Sequence, residues 1–359
     1  METRHYITFA ISFLVLQLFL FIFARTLNWV FALDDSNAIR KWLFVGVYLI
    51  LNLLVLSAPL QLFQDSFRLS AFILVLLLFS TFASMIVGIG YWCIGERGET
   101  LLRIAYPILL VGFILLGIYN AYTPIVRHYQ IKLDKPLAPL RIGVASDTHL
   151  GKFFGSKELE KLVTIFEQQQ VDLILLPGDI MDDNVNVYLA EQMQPHLAKL
   201  HAPLGVYATM GNHDFFGDQQ RIEQEIRKAG IHLLMDDSVV VDHRFVLIGR
   251  NDDLVKDRPS AEELVQQVDQ TLPIILLDHR PSEVEQHSNL PIDIQFSGHT
   301  HNGQVFPANF IVKWVYRLAY GYEQIKQTHF FVTSGYGFWG VPFRLGSQSE
   351  VLIVDVSGK

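Results

Sequence analysis

The chain has 359 residues, of which 50% are hydrophobic and only 18% are charged. This composition is too apolar for one soluble domain of ordinary make-up. The formal net charge of −8 argues against a nucleic-acid polymer as partner, since such binders normally carry a basic face.

The first third of the chain contains four long apolar runs, at residues 7–24, 42–63, 71–94 and 104–122. Each run is long enough to cross a hydrocarbon core of about 30 Å. One such run could be a buried helix of a soluble protein, or a signal peptide if its apolar core were shorter. Four in succession favour membrane spans. We therefore predict that residues 1–122 form a multi-pass transmembrane helical region.

Residues 123–139 form a polar stretch with prolines at positions 124, 136 and 139, and we predict a connector there. Beyond it, apolar strand-like segments alternate with amphipathic helical ones, which predicts sheets covered by helices in a domain at 140–359. The predicted strands are 140–146, 172–176, 204–209, 245–248, 274–277, 292–296, 330–333 and 351–354. The predicted helices are 157–168, 187–200 and 219–229, with a further one near residue 260.

Five polar clusters follow predicted strands, each at the C-terminal end of its strand. They are Ser146-Asp147-Thr148-His149, Gly178-Asp179-Ile180-Met181-Asp182, Gly211-Asn212-His213-Asp214, Asp278-His279 and Ser297-Gly298-His299-Thr300-His301-Asn302-Gly303-Gln304. Any one alone could be a helix cap or a turn. Together they would gather at one sheet edge, where open α/β folds bind ligands.

The last cluster places two imidazoles one residue apart, with Gly298 and Gly303 to allow a sharp turn. Neutral imidazole is the commonest metal ligand in proteins. An isolated His-x-His is also compatible with a polar loop carrying two solvated histidines. The four preceding clusters favour the metal-binding interpretation.

The order D-x-H, G-D-x-x-D, G-N-H-D, H and G-H-x-H resembles the calcineurin-like metallophosphoesterase superfamily, over about residues 140–359. The Gly-His-Thr-His-x-Gly-Gln form behind several apolar runs looks most like a membrane-associated branch, the "transmembrane protein with metallophosphoesterase domain" group. Some relatives there cleave the pyrophosphate of UDP-2,3-diacylglucosamine. The chain departs from that branch at Asn302, where a second glycine is usual, and at Ser349-Glu350, where Pro-Glu is usual.

The resemblance implies an α/β metallophosphoesterase fold with a central β-sandwich flanked by helices, and a binuclear metal centre. Asp147, His149 and His301 would bind one divalent ion, and Asn212, His279 and His299 the other. Asp179 would bridge both ions and is essential for catalysis in this assignment. A ligand set of carboxylate, imidazole and amide suits Mn²⁺, our first choice, and also Zn²⁺, Fe, Ni²⁺ or Mg²⁺.

The same resemblance gives His213 a catalytic role without metal binding. It would either contact the phosphoryl oxygens or protonate the leaving oxygen. Asp182 and Asp214 would orient imidazoles or backbone around the metals, or would serve only as turn residues.

Apolar side chains recur at helical spacing through residues 306–322, with Lys313 and Arg317 four residues apart. This pattern fits a core-facing helix with a basic outer edge or a helix in the headgroup region of a membrane that admits a lipid substrate. For the second case, residues 336–339 could form another apolar wall and Arg344 a phosphate contact.

These patterns predict a membrane-anchored, metal-dependent hydrolase of a phosphodiester or pyrophosphate, with a lipid or nucleotide-sugar lipid as substrate. We expect a multi-pass protein of the bacterial inner (plasma) membrane. The positive-inside rule is balanced between the two orientations, and we take the cytoplasmic side for the catalytic domain. One alternative is a membrane-tethered phosphatase with a soluble substrate. Another is a metal-binding receptor or transport-associated domain without turnover, although the apolar runs contain few of the ionisable residues typical of transport.

Overall fold

The computed structural model describes residues 2–31, 38–57 and 66–359 of the chain. It divides into two compact units, Met1–Ile118 and Tyr119–Lys359. The second unit holds every residue of the five polar clusters.

The first unit consists of apolar helices. They are α1 (Glu2–Val30), α2 (Ala38–Leu56), α3 (Ser66–Ile94), a 3₁₀ turn (Gly95–Gly98) and α4 (Glu99–Tyr122), whose last four residues belong to the second unit. By length and apolar composition, the segments Phe13–Val30 and Ser66–Tyr122 could cross a membrane, whereas the apolar part of α2 is shorter. The four-span arrangement stays a prediction, and part of its second run, residues 58–63, lies outside the described residues.

The second unit contains two six-stranded sheets. The first has the order β1-β12-β2-β3-β4-β5 and the second the order β10-β11-β9-β8-β7-β6. The strands are β1 (Ile125–Lys132), β2 (Leu140–Val144), β3 (Leu173–Pro177), β4 (Val206–Thr209), β5 (His232–Leu233), β6 (Asp237–Val241), β7 (Phe245–Arg250), β8 (Ile274–Asp278), β9 (Ile294–Ser297), β10 (Gly321–Ile325), β11 (Thr328–Val332) and β12 (Glu350–Ser357).

Alternation along the strands explains how the two sheets pack. Leu173 and Leu175 of β3 join a core that also contains Ile275 and Leu277 of β8, so this core lies between the sheets. The intervening side chains point to the opposite faces, because successive strand residues alternate, and these faces pack against helices. The predicted α/β fold with two sheets is therefore confirmed.

Helices with apolar side chains in the outer cores cover these faces, and the second unit has eight α-helices among its described residues. They are α5 (Ser156–Gln169), α6 (Asn186–Ala190), α7 (Gln194–Leu197), α8 (Asn212–Phe215), α9 (Gln219–Lys228), α10 (Ala261–Gln266), α11 (Val284–His287) and α12 (Ala308–Val315), with 3₁₀ turns at Pro281–Glu283 and His301–Gly303. The single helix predicted at 187–200 is wrong. Pro195 lies in the first turn of α7, where its missing N–H costs least, so a new helix begins there.

Two further segments differ from the sequence-based expectation. Residues 125–132 of the predicted connector form strand β1, which pairs in parallel with β12 at the edge of the first sheet. Polar, half-exposed side chains are tolerated there because an edge strand is less covered than a central one. The helix predicted over 306–322 is also too long. Within residues 306–322 the α-helix is confined to α12, and residues 321 and 322 belong to β10.

The direction of the strands positions the site. Strands β2, β3 and β4 run in parallel, as do β7, β8 and β9 in the other sheet. The carboxyl ends of each parallel set meet at one edge. The five polar clusters all follow strands of these two sets.

Candidate metal centre

The chain turns sharply at the candidate ligands. Positive φ values occur at Asp147 (54°), His149 (43°), Asp179 (52°), His299 (68°) and His301 (47°). Residues other than glycine rarely adopt this backbone conformation, and such strained positions concentrate at functional sites. At these five positions the backbone leaves the extended conformation of the strands.

One group of candidate ligands contains Asp147, His149 and His301, all buried, with ligand atoms within 4.8 Å of one another. The Nε2 atoms of His149 and His301 are 3.1 Å apart, and His301 Nε2 is 3.4 Å from Asp147 Oδ1. Within the described part of the chain, Asp147 Oδ2 is buried without a hydrogen-bond partner. Such an orphaned carboxylate oxygen is costly unless a cation satisfies it.

A second group contains Asp179, His279 and His299, again within 4.8 Å of one another. His279 Nδ1 lies 2.8 Å from the carbonyl oxygen of Pro177, to which it donates its proton. That bond leaves Nε2 facing Asp179 Oδ2 at 3.1 Å. Asn212 joins this group, because its Oδ1 lies 2.8 Å from His299 Nδ1.

Asp179 lies between the two groups. Its Oδ2 is 3.7 Å from His149 Nε2 of the first group and 3.1 Å from His279 Nε2 of the second. Its Oδ1 accepts the backbone N–H of His213 at 2.8 Å. A carboxylate in this place can contact two ions at once, as paired-metal sites require.

Burial keeps three of the imidazoles in the neutral form that binds metals. It lowers the pKa of both His149 and His299 to about 3. Burial also lowers the pKa of His301, and the positive charge of the neighbouring Arg344 adds to this shift. Metal ligands must be deprotonated, so these shifts prepare the nitrogens for a cation.

At His279 the neighbouring carboxylates shift the pKa in the opposite direction. Burial opposes protonation of this imidazole, but the Asp179 carboxylate outweighs it and raises the pKa of His279 to about 10. Burial raises the pKa of Asp147 to about 6. Raised pKa values at a buried imidazole and a buried carboxyl mean that the negative charge of this cluster is not balanced by nearby positive charge. The residues therefore fit divalent cations held by nitrogen and oxygen ligands without thiolate.

His213 has a partner that the sequence interpretation missed. Its Nδ1 lies 2.5 Å from Asp183 Oδ1. Burial lowers the pKa of His213, but the hydrogen bond to Asp183 and the charge of Asp179 outweigh burial and raise it. The motif draws attention to Asp182, whose Oδ1 instead lies 3.9 Å from His149 Nδ1. The available signal was the adjacent acidic pair Asp182-Asp183.

Asp214 orients backbone, one of the roles expected for it. Its carboxylate accepts N–H groups from Gly211 at 2.9 Å, Ile180 at 3.1 Å and Met181 at 2.9 Å. These bonds fasten the loop after β4 to the loop after β3 next to Asp179. Burial and the nearby Asp179 raise the pKa of Asp214 to about 7.

The expected phosphate contact by Arg344 is wrong. Its side chain is fully buried, and Nη2 donates to the carbonyl oxygens of Ser334 at 2.7 Å and Gly337 at 2.5 Å. The same Nη2 lies 3.1 Å from His301 Nδ1. Arg344 thus holds the loop before β12 and the His301 ring in place. A single arginine in the sequence gives no indication of such burial.

The surfaces around the centre also differ from the expectation. Tyr336 and Phe338 are buried in the core, so they form no apolar wall, whereas Trp339 is 42% exposed. Every residue of α12 is at least partly exposed, which contradicts the core-facing interpretation of that helix. The exposed large apolar side chains of α12 are Phe310, Ile311, Trp314 and Val315, with Trp314 at 88%.

Comparison with known proteins places this geometry among phosphoesterases. Residues 140–303 match the family profile described as calcineurin-like phosphoesterase. The chain is 30% identical over 260 residues to an uncharacterized metallophosphoesterase of Aquifex aeolicus, covering 68% of this chain and 98% of that protein. It is 29% identical to one from Helicobacter pylori, covering 70% of each.

A transmembrane protein with metallophosphoesterase domain from Danio rerio is 28% identical over 277 residues, covering 72% of this chain and 62% of that protein. Among solved structures, one from Thermus thermophilus covers 56% of this chain and 90% of its own, with a TM-score of 0.37 and 13% identity.

Proposed function

Because the chain belongs to the calcineurin-like metallophosphoesterase family, we propose that it is a membrane-anchored enzyme that hydrolyses a phosphodiester or pyrophosphate of a lipid or nucleotide-sugar lipid. The family makes it a metal-dependent phosphoester hydrolase with a binuclear divalent centre. A pyrophosphatase acting on a substrate of the UDP-2,3-diacylglucosamine type is one specific form of this proposal.

One observation carries the proposal, namely the convergence of seven ligand-type side chains from five strand-end loops. The proposed ligands of one ion are Asp147, His149, Asp179 and His301, and those of the other are Asp179, Asn212, His279 and His299. Two divalent cations bound here would neutralise charge on the phosphoryl group and lower the pKa of an attacking water. We propose Mn²⁺ on the ligand chemistry alone.

The chain's own residues supply the remaining chemistry. Asp183 binds His213 Nδ1, which leaves Nε2 as the ring nitrogen available to a substrate. The raised pKa of His213 lets Nε2 carry a proton, so we assign His213 as the acid that protonates the leaving oxygen. Asp179 fixes the backbone of His213 through its Oδ1 and thereby couples the acid to the ligand cluster.

Two features support a lipid substrate and a bilayer as partner. The chain carries apolar helical segments long enough to cross a membrane. Helix α12 follows the 3₁₀ turn that contains His301 and presents Phe310, Ile311, Trp314 and Val315 to the exterior. Large apolar side chains with nearby cations are typical of helices in the headgroup region. Multi-pass insertion in an inner membrane and a cytoplasmic catalytic side belong to the same proposal.

The test uses full-length, Mn²⁺-loaded protein in lipid vesicles, with lipid-linked and nucleotide-linked phosphates as substrates. Asp179→Asn should retain fewer than two ions per chain and lose turnover. The matched control is Asp355→Asn, because Asp355 pairs with Arg141 at 2.7 Å on a strand outside the site. Two bound ions with near-normal turnover in Asp179→Asn would contradict the assignment. Bound ions without hydrolysis in the wild type would favour a receptor.

A further inference from the structure

Two exposed aromatic side chains flank His213. The ring of Phe216 lies 5.1 Å from the imidazole, centroid to centroid, at an interplanar angle of 89°. The ring of Trp339 lies 5.9 Å away at 49°. Phe216 is 56% exposed and Trp339 is 42% exposed. Single exposed apolar residues are common on protein surfaces, but a pair around one acid–base histidine is a more specific arrangement.

The surroundings of His213 limit where the substrate can lie. On one side its ring meets His149 of the ligand cluster, at 4.8 Å between centroids. Its Nδ1 is occupied by Asp183. The rings of Phe216 and Trp339 lie next to the same imidazole, so both are within reach of a group whose oxygen receives the Nε2 proton.

Both aromatic residues are held by the loops that carry the proposed ligands. The Gln304 side chain makes two hydrogen bonds to the backbone of Trp339. Its Nε2 donates to the Trp339 carbonyl at 3.0 Å, and its Oε1 accepts the Trp339 N–H at 2.9 Å. Gln304 ends the cluster that contains His299 and His301. Phe216 directly follows α8, which begins with Asn212. The two rings are thus fixed relative to the site.

We propose that Phe216 and Trp339 bind the leaving group and select an apolar one, with Gln304 as the positioning residue for Trp339. The inference rests on the proposed function, and it adds which side of the phosphorus atom carries the apolar group. Two large rings with exposed apolar faces suit an acyl or alkyl chain or a second aromatic ring. They offer little to a small polar alcohol.

The bond changes follow the hydrolysis itself. One P–O bond forms to the oxygen of water while the P–O bond to the leaving oxygen breaks. The leaving oxygen keeps the bonding electron pair and receives the Nε2 proton of His213. A proton released by the attacking water restores His213. The products are a phosphomonoester and the alcohol that lay between Phe216 and Trp339.

An asymmetric diester tests this placement directly, because either of its two alcohols can leave. The Mn²⁺-loaded full-length protein is given octyl 2-methoxyethyl phosphate or 2-phenylethyl 2-methoxyethyl phosphate, and both product pairs are quantified by mass spectrometry. We expect the apolar alcohol to leave at least about tenfold more often than methoxyethanol, in line with the selectivity of apolar pockets. A preference confined to one diester distinguishes an alkyl-binding site from an aromatic-binding one.

The variants make the test specific. Phe216→Ala and Trp339→Ala should each move the product ratio towards one. Gln304→Ala should act like Trp339→Ala and add nothing to it in the double variant, as expected for residues that act as a unit. The control is Val240→Ala, an exposed residue of the edge strand β6, which should keep the wild-type ratio.

The product ratio comes from one substrate on one active site, so partial unfolding or metal loss does not alter it. An equal ratio in the wild type would overturn the inference, as would an unchanged ratio in the Phe216→Ala/Trp339→Ala double variant. If the metal-loaded protein hydrolysed neither these diesters nor any other phosphodiester or pyrophosphate, the proposed function would fail and the inference with it.

Discussion

Removing the Asp183 carboxylate tests the acid role of His213. Asp183→Asn keeps the shape of the side chain but loses its charge next to Nδ1. A charge-assisted hydrogen bond contributes about 1.5–3 kcal/mol net, but the Asp183 side chain is 50% exposed, so solvent screening reduces the value to about 1 kcal/mol. That corresponds to roughly a fivefold lower kcat. His213→Ala should cost about 10²–10⁴-fold, the usual contribution of a general acid.

The assay compares leaving groups, because only an oxygen that needs a proton depends on the acid. With a simple alkyl phosphodiester, Asp183→Asn should show the full loss, whereas with a 4-nitrophenyl diester kcat should be nearly unchanged. In the His213→Ala background, Asp183→Asn should have no further effect. The control is Asp218→Asn, since Asp218 pairs with Arg221 at 3.0 Å near the surface.

An equal loss of kcat on both kinds of substrate would refute this reasoning. His213 would then act on the phosphoryl oxygens, the other role that the sequence allowed. An effect of Asp183→Asn that persists without His213 would show that the carboxylate acts elsewhere.

Three further predictions concern the two units, α12 and Arg344. A chain beginning at Tyr119 should fold and hydrolyse a soluble diester. A chain beginning at Thr123 should have a free energy of unfolding in urea lower by about 2 kcal/mol, because the last two residues of α4 pack into the domain core. Equal stability of the two chains would contradict this. Trp314→Ser with Phe310→Ser should raise KM for long-chain substrates only, because the acyl chain loses up to about 0.8 kcal/mol of binding free energy per CH₂ that is no longer buried. Equal wild-type KM values for long-chain and short-chain substrates would exclude membrane access. Arg344→Lys should lower the free energy of unfolding by about 3 kcal/mol or more, since buried carbonyls lose their donors. It should also weaken metal retention, measured by elemental analysis. Full retention would show that His301 does not need the support of Arg344.

The sequence predicted the central strands well because they are buried on both faces and therefore read as short apolar runs. Strands β1, β6 and β10 lie at sheet edges, where most of their side chains are partly or fully exposed, so they lack the signal of strands buried on both faces. The helix α12 was predicted in the right place but with too great a length, because an apolar spacing continues into β10.

At the site, motif order brought together all the residues proposed as ligands, since each motif fixes a strand end. Side-chain direction was not available in the same way. Asp183 is adjacent to Asp182, and only the local backbone, with φ of 65° at Asp183, shows which carboxylate meets His213. Arg344 was predicted as a phosphate contact, since its actual partners are backbone carbonyls, which no sequence pattern identifies.

The position of β12 has a consequence for biosynthesis. This strand lies between β1 and β2 and bonds to both, yet it is translated after every other strand of either sheet. The first sheet therefore stays split on the ribosome, with the edges of β1 and β2 open, until residues 350–357 emerge. Unpaired strand edges promote misassociation, and closing a loop of this length is slow. A newly made catalytic domain should thus depend on a chaperone, or on rapid completion of the chain, more than its finished fold suggests.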